Sequence, residues 1–144
     1  MDIYLDNCCF NRPYDDQMHL RIRLETEAKL RIQDEIRKGT YSLVWSYILD
    51  YENDKNPFDE RVGLISKWRK YAVTDLSETN EILGQALVFL RYGLKKYDSL
   101  HIACAIIGNA EYFITTDDGI LRKSKLIKRI KIIDPIGFIK EVLL

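Results

Sequence analysis

The chain has 144 residues, a length that fits one domain built around a single hydrophobic core. Its 47% hydrophobic and 31% charged residues, with seven Gly and three Pro, exclude a disordered or fibrous protein. The 22 Lys and Arg balance 22 Asp and Glu, and this zero net charge argues against a dedicated duplex-binding protein, although a local basic patch stays open. We therefore predict a single domain over 1–144.

The predicted elements, in chain order, are a strand at 2–5, a helix at about 17–38, a strand at 41–45, a helix at 46–54, a helix at 57–71, a minor strand at 72–73, a helix from Ser77 to Gly93, a helix at 98–107, a strand at 111–115, a short helix at 117–124, a strand at 130–133 and a helix from Pro135. Strands that alternate with helices, without a hairpin turn, indicate a mostly parallel sheet covered on both faces. The predicted fold class is α/β.

Two of the helices are indicated by apolar residues at helical spacing. The 17–38 helix has Asp15 and Asp16 as candidate caps and Gly39 as its end. Its apolar set is Leu20, Leu24, Ala28 and Ile32. The helix after Ser77 is predicted to pack by Ile82, Leu83, Ala86, Leu87 and Leu90. The 98–107 helix is apolar almost all round and should lie deep.

The chain is predicted to be cytoplasmic. No apolar run approaches the ~20 residues that span a bilayer. Acidic residues stand near the N-terminus, where a signal peptide has a basic segment. Three cysteines, of which Cys8 and Cys9 are adjacent, form no C-x-x-C pair, so we expect reduced thiols.

Four acidic residues fall at or near the carboxyl ends of the predicted strands, where parallel α/β sheets bind ligands. They are Asp6, Glu52, Asp98 and Asp117. Three of them precede helical stretches and could simply be N-caps, since Asp is favoured there. Glu52 is different, because it shares the core-facing stripe of its helix with Ile48 and Leu49, where an unpaired carboxylate is costly. It needs either a basic partner from elsewhere in the chain or a metal ion.

Four oxygen donors without a His or Cys companion suit Mg²⁺ or Mn²⁺ better than Zn²⁺. One or two such ions could activate a water and stabilise the leaving oxygen of a phosphodiester. His101, three residues after Asp98, could touch a substrate, but we interpret it as a helix residue satisfied by hydrogen bonds.

With these residues in place, the sequence resembles the PIN-domain nucleases, of the kind found as VapC-like toxins of type II toxin–antitoxin pairs. The motifs that carry the resemblance are Leu5-Asp6-Asn7 after the first strand, Ser46 with Glu52 six residues later, the run from Tyr97 to Ala103 that opens the deep helix, and the run from Phe113 to Asp117. The resemblance implies a three-layer α/β/α sandwich with four or five strands. It also implies a metal-dependent ribonuclease with Asp6, Glu52, Asp98 and Asp117 as catalytic and metal-binding residues.

The family usually has Asp-Thr-Asn after the first strand, whereas this chain has Asp6-Asn7-Cys8. Asn7 or Asn11 could take over the supporting role of the missing Asn, and Thr115 would be a supporting hydroxyl near Asp117. Asp118 is either a cap or a further ligand. The departure leaves open a catalytically silent PIN-fold module that binds RNA or a protein partner.

The last third of the chain concentrates positive charge, either as a solvated face or as a track for an RNA backbone beside the acids. The candidate RNA-binding residues are Lys95, Lys96, Arg122, Lys123 and Lys125, and the basic run continues through Lys128, Arg129 and Lys131. We expect RNA as substrate, an antitoxin protein as a partner, a homodimer and no membrane association.

Overall fold

The computed structural model describes residues 1–144, which form five strands and eight α-helices. The strands are β1 Asp2–Leu5, β2 Ser42–Ser46, β3 Ala72–Leu76, β4 Tyr112–Ile114 and β5 Lys131–Ile133. The helices are α1 Asn7–Asn11, α2 Leu20–Arg37, α3 Tyr47–Asp54, α4 Asp59–Ser66, α5 Asn80–Arg91, α6 Lys96–Ile107, α7 Asp118–Arg122 and α8 Pro135–Phe138. Short 3₁₀ segments lie at Arg12–Tyr14, Lys67–Tyr71 and Ser124–Leu126, and a π-helical turn at Ile139–Leu143. None of the helices combines the length and the apolar character that crossing a bilayer requires.

The strands form one parallel sheet in the order β3-β2-β1-β4-β5. In the central strand β1, Ile3, Tyr4 and Leu5 are all fully buried. Because successive side chains of a strand point to opposite faces, helices must cover both faces of the sheet. The prediction of an α/β sandwich with a mostly parallel sheet is therefore confirmed.

The region from 57 to 76 differs from the prediction. The helix predicted over 57–71 is α4 followed by the 3₁₀ segment Lys67–Tyr71, and the minor strand is the five-residue edge strand β3. Val73 and Asp75 of β3 point to solvent, so this strand lacks the continuous apolar run that marks the buried strands.

Two helices end where glycine was predicted to end them. Gly39 and Gly93 have φ of 81° and 87°, a left-handed conformation that glycine adopts without a Cβ penalty. The predicted beginnings were wrong by a few residues. Asp15 pairs with Arg12 and does not cap α2. Asp16 accepts a hydrogen bond from the Met18 N–H ahead of the helix, and Thr79, not Ser77, caps α5.

The apolar faces of α2 and α5 were only partly predicted. Leu20 is 59% exposed and Leu24 is also exposed, because the N-terminal half of α2 packs on the Arg12–Tyr14 segment, where it buries Glu25 against Arg12. The residues of α5 that are buried are Ile82, Ala86 and Phe89, whereas Leu83, Leu87 and Leu90 are exposed. Packing partners, which the sequence does not display, select the face that is buried.

The end of α6 approaches the sheet closely at Gly108. A Cβ atom there would lie 2.8 Å from Cγ1 of Val44 and 2.9 Å from Cδ1 of Leu76. Gly108→Ala should therefore lower the free energy of unfolding by about 1–3 kcal/mol through overpacking. Gly84→Ala, within α5, meets no atom within 4 Å and should raise it by about 0.5–1 kcal/mol. Urea unfolding of the two variants measures the contrast, and equal effects of the two substitutions would contradict the close packing.

Candidate functional site

The four predicted acids line one cavity of about 320 Å³ at the carboxyl edge of the sheet. Asp6 follows β1 and Asp117 follows the neighbouring strand β4 by three residues, and the register pairs Leu5 with Ile114. Glu52 reaches the same cavity from α3 and Asp98 from α6. The remaining lining residues are Asn7, Cys8, Asn11 and Asp15. Parallel strands that deliver their carboxyl ends to one edge bring these groups together.

Asp6 is buried and both of its carboxylate oxygens are occupied. Oδ1 accepts from the Asn7 N–H at 2.8 Å, which caps α1, and Oδ2 accepts from the Thr115 hydroxyl at 2.8 Å. The capping interpretation is thus correct for Asp6, and the same residue also faces the cavity. Capping and a role in the cavity do not exclude each other.

Cys8 makes the contacts that hold this part of the site together. Its thiol donates to Asp6 Oδ2 at 3.4 Å and accepts from the Thr116 N–H at 3.4 Å. Asn7 Oδ1 is buried without a partner, and Asn11 donates to the Asn7 carbonyl at 3.1 Å. The thiol of Cys8 therefore supports Asp6 at the position where the family usually has Asn.

Thr115 links the two acids that follow β1 and β4. Its hydroxyl donates to Asp6 and accepts from the Asp117 N–H at 3.1 Å, and Asp117 in turn caps α7 through the Ile120 N–H. Asp118 neither caps α7 nor lines the cavity. It forms a two-oxygen ion pair with Arg21, at 2.7 and 2.9 Å, which holds its pKa below its ordinary value.

Asp98 shows the electrostatic character of the site. It lies in the first turn of α6 and does not cap it, since the cap position is Lys95. Burial, followed by the negative charges of Asp6 and Asp117, raises its pKa from 3.8 to about 6, while His101 opposes the shift. Carboxylates this close favour a bound cation, since a cation would neutralise their repulsion.

The partner that Glu52 requires is His101 of α6. The imidazole Nε2 bonds to Glu52 Oε1, and Nδ1 bonds to the Tyr4 hydroxyl at 2.6 Å. The Tyr4 hydroxyl in turn bonds to the Ser46 hydroxyl at 2.7 Å, which gives a buried chain from β2 through β1 to the acid. With the neutral ring, Nε2–H donates to Glu52 and Nδ1 accepts from Tyr4. Both ring nitrogens are therefore satisfied, as predicted.

His101 also stands close enough to the acids to join a metal site. One ligand atom each from Asp6, Glu52 and His101 lie within 4.8 Å of one another. The sequence analysis treated His101 as a structural residue, and the signal that could have linked it to the site is a lone imidazole three residues after Asp98 in an otherwise apolar helix.

Part of the predicted basic track lies beside the acids. Lys95, Arg122 and Lys123 line a cavity of about 280 Å³ together with Asp98 and Asp117. Lys96 and Lys125 line neither of these two cavities.

The remaining basic residues of the track lie at the opposite edge of the sheet. Lys128, Arg129 and Lys131 line a cavity with Glu111, which precedes β4. The basic run is therefore divided, because the chain returns to the amino end of the sheet before β5 begins at Lys131.

The sequence matches no family model and no curated protein. The structure is similar to a chain of VapBC2 from Rickettsia felis, solved bound to a DNA fragment from their promoter, with a TM-score of 0.57 and 12% identity over 93% of this chain and 98% of that one. It is also similar to a chain of VapBC-1 from nontypeable Haemophilus influenzae, with a TM-score of 0.58 and 17% identity over 94% of this chain and 98% of that one. At these identities the likeness establishes a shared fold, and the predicted PIN-like α/β fold is confirmed.

The raised pKa of Asp98 generates a prediction on stability. In the folded protein Asp98 titrates near pH 6, and in the unfolded chain near its ordinary 3.8. Between these values the folded state holds a proton that the unfolded chain has lost. The stability that Asp98 contributes therefore falls as the pH rises from about 4 to 6, and the loss is complete above about pH 6. In EDTA at pH 8, Asp98→Asn should therefore melt no lower than the wild type, and its stability should fall less across that pH range.

Asp118→Asn is the matched control. The pKa of Asp118 is lowered by Arg21, so its contribution to stability is present above 3.8 and is lost as the pH falls. The two variants should change the pH profile of the melting temperature in opposite directions. An Asp98→Asn protein that melts well below the wild type at pH 8 would contradict the electrostatic strain.

Proposed function

We propose that the protein, as a single PIN-like domain over 1–144, is a Mg²⁺- or Mn²⁺-dependent endoribonuclease of the cytoplasm and the toxin of a toxin–antitoxin pair. The observation that carries the proposal is the convergence of Asp6, Glu52, Asp98 and Asp117 on one cavity, where burial and then the acidic neighbours raise the pKa of Asp98. The similarity to chains of two VapBC structures supports an antitoxin as partner. We also propose a homodimer as the assembly.

The residues of the cavity fit one or two hard divalent cations. Asp6, Glu52, Asp98 and Asp117 would hold them through carboxylate oxygens, and Asn7 Oδ1, buried without a partner, is a further oxygen at the same cavity. When bound, such ions supply a Lewis acid and lower the pKa of a water molecule. His101 lies within reach of two of the acids but already bonds to Glu52 and Tyr4.

The protein's own groups have separate tasks in this mechanism. Thr115 and Cys8 hydrogen-bond to the Asp6 carboxylate, and His101 hydrogen-bonds to Glu52. These bonds fix the positions of the two acids against the repulsion between their negative charges. Lys95 and Arg122 lie next to Asp98 and Asp117, where they can bind the phosphates of an RNA strand. These contacts would hold the sugar-phosphate backbone of the RNA beside the acids by charge, without contacts that depend on the base sequence.

Cleavage of a mixed RNA pool tests the proposal. Wild type with Mn²⁺ should cleave it, whereas Asp6→Asn with Mn²⁺ and wild type with EDTA should leave it intact. The loss should reach at least about 100-fold, since charge stabilisation at the reacting phosphate is among the largest contributions to catalysis. Equal cleavage by the three samples would mean that the residues or the chemistry are wrong.

A thermal melt of the same samples separates the nuclease from a catalytically silent PIN-fold module that binds RNA or a protein. At about 100 times its dissociation constant, Mn²⁺ should stabilise the wild type by roughly 2.7 kcal/mol and Asp6→Asn much less. Stabilisation by Mn²⁺ without RNA cleavage would favour the silent module, and no stabilisation would remove the metal site.

The basic residues beside the acids give a separate prediction. Arg122→Glu should weaken RNA binding in EDTA. It should also reduce the slope of the logarithm of the binding constant against the logarithm of the salt concentration by about 1, which corresponds to one lost phosphate contact. Lys128→Glu, at the opposite edge of the sheet, is the control and should leave both quantities nearly unchanged. If the two variants weaken binding equally, the RNA does not follow the cavity of Lys95 and Arg122.

A further inference from the structure

A second cavity, of about 350 Å³, lies between α2 and the segment formed by α4 and Lys67–Tyr71. It shares no lining residue with the acidic cavity. Its basic lining residues are Lys29, Arg37, Lys67 and Lys70, and no Asp or Glu lines it. None of these four cations forms an ion pair. In a chain with no net charge, this is a concentrated positive site.

Lys29 lies at the inner wall of this cavity without a partner. It is only 4% exposed, it makes no hydrogen bond, and its ammonium lies 5.5 Å from the centre of the Phe10 ring. Burial lowers its pKa to about 7, which measures how poorly the charge is compensated. Glu25 lies one turn before Lys29 and is also buried. In contrast to Lys29 it is paired, because Arg12 and Arg21 both contact its carboxylate. The fold pairs the buried anion of α2 and leaves the buried cation unpaired.

Gln33 adds a second donor on the same face of α2, four residues after Lys29. Gln33 is 2% exposed, lines the cavity, and its amide nitrogen has no hydrogen-bond partner. A buried donor without an acceptor is costly. A buried amide nitrogen without an acceptor, beside a lysine that has no ion-pair partner, calls for a ligand that brings negatively charged oxygens.

The outer wall of the cavity is aromatic. Trp68 and Tyr71 are half-buried with their ring centres 5.1 Å apart, and the guanidinium of Arg37 lies 4.6 Å from the centre of the Trp68 ring. Flat aromatic surfaces next to a guanidinium are favourable for a nucleobase, which can stack on either. The size of the cavity is within the range of small-molecule sites.

We propose that this cavity binds a nucleotide, with its phosphate on Lys29 and Gln33 and its base against Trp68 and Tyr71. The nucleotide is either a free mononucleotide or one unit of an RNA strand, since both present the same groups. The site does not depend on the acidic cavity or on metal.

Binding is measured by titration of the full chain in EDTA, so that no RNA is cleaved. The probes are AMP, adenosine, inorganic phosphate and a short oligoribonucleotide, and the readouts are calorimetry and the fluorescence of Trp68. The protein should bind AMP at least about tenfold more tightly than adenosine, because a hydrogen bond to a charged group is among the stronger ones. Tighter binding of AMP than of the oligonucleotide identifies a free nucleotide as the ligand, and the reverse order identifies a strand.

Lys29→Met removes the charge and keeps the length of the side chain. It should weaken AMP binding at least about tenfold, while Lys140→Met, an exposed lysine outside the cavity, should not change it. Trp68→Leu should remove most of the preference for AMP over inorganic phosphate. Without ligand, Lys29→Met should melt no lower than the wild type, because the substitution removes a buried charge that has no ion-pair partner. This melt distinguishes a variant that has lost the site from one that has misfolded. No saturable binding of AMP or oligonucleotide, or AMP binding that Lys29→Met leaves unchanged, would overturn the proposal.

Discussion

The repulsion among carboxylates at one edge of the sheet is the constraint on which the rest of the site depends. Parallel strands end at the same edge, so the residues that follow β1 and β4 are brought together whether or not their charges are compatible. The structure meets this constraint with hydrogen-bond donors from other side chains. A threonine hydroxyl and a thiol bond to Asp6, and a buried imidazole bonds to Glu52. Asp98 has no such donor in the structure, and its burial next to Asp6 and Asp117 raises its pKa to about 6.

The sequence predicted the features that depend on local rules. The local sequence pattern shows a strand that is followed by Asp and then by a helix, and for this reason Asp6 and Asp117 were predicted at the edge of the sheet. The left-handed ends at Gly39 and Gly93 follow from the freedom of glycine at positive φ. Glu52 was identified because a carboxylate on a core-facing stripe needs a partner. The assignment of the four acids to metal binding and catalysis remains a prediction.

The features that were missed depend on contacts between distant parts of the chain. Glu52 and His101 are 49 residues apart, and nothing in their spacing shows that α3 and α6 bring them together. The buried face of α2 was mispredicted because this helix packs Glu25, and not Leu20 and Leu24, against the distant Arg12–Tyr14 segment. The basic run was interpreted as one surface, whereas the segment that precedes β5 divides it between the carboxyl and the amino ends of the strands.

The hydrogen-bonded chain from Ser46 through Tyr4 and His101 to Glu52 has a consequence for how such a site can diverge. Each member satisfies the next, so replacing one leaves a buried polar atom of its neighbour without a partner. Single replacements are therefore selected against, and the favourable route to another arrangement is to replace several members together. In descendants of this chain, the residues at these four positions should be inherited as a block, with hydroxyl, phenol, imidazole and carboxylate either all retained or all exchanged together.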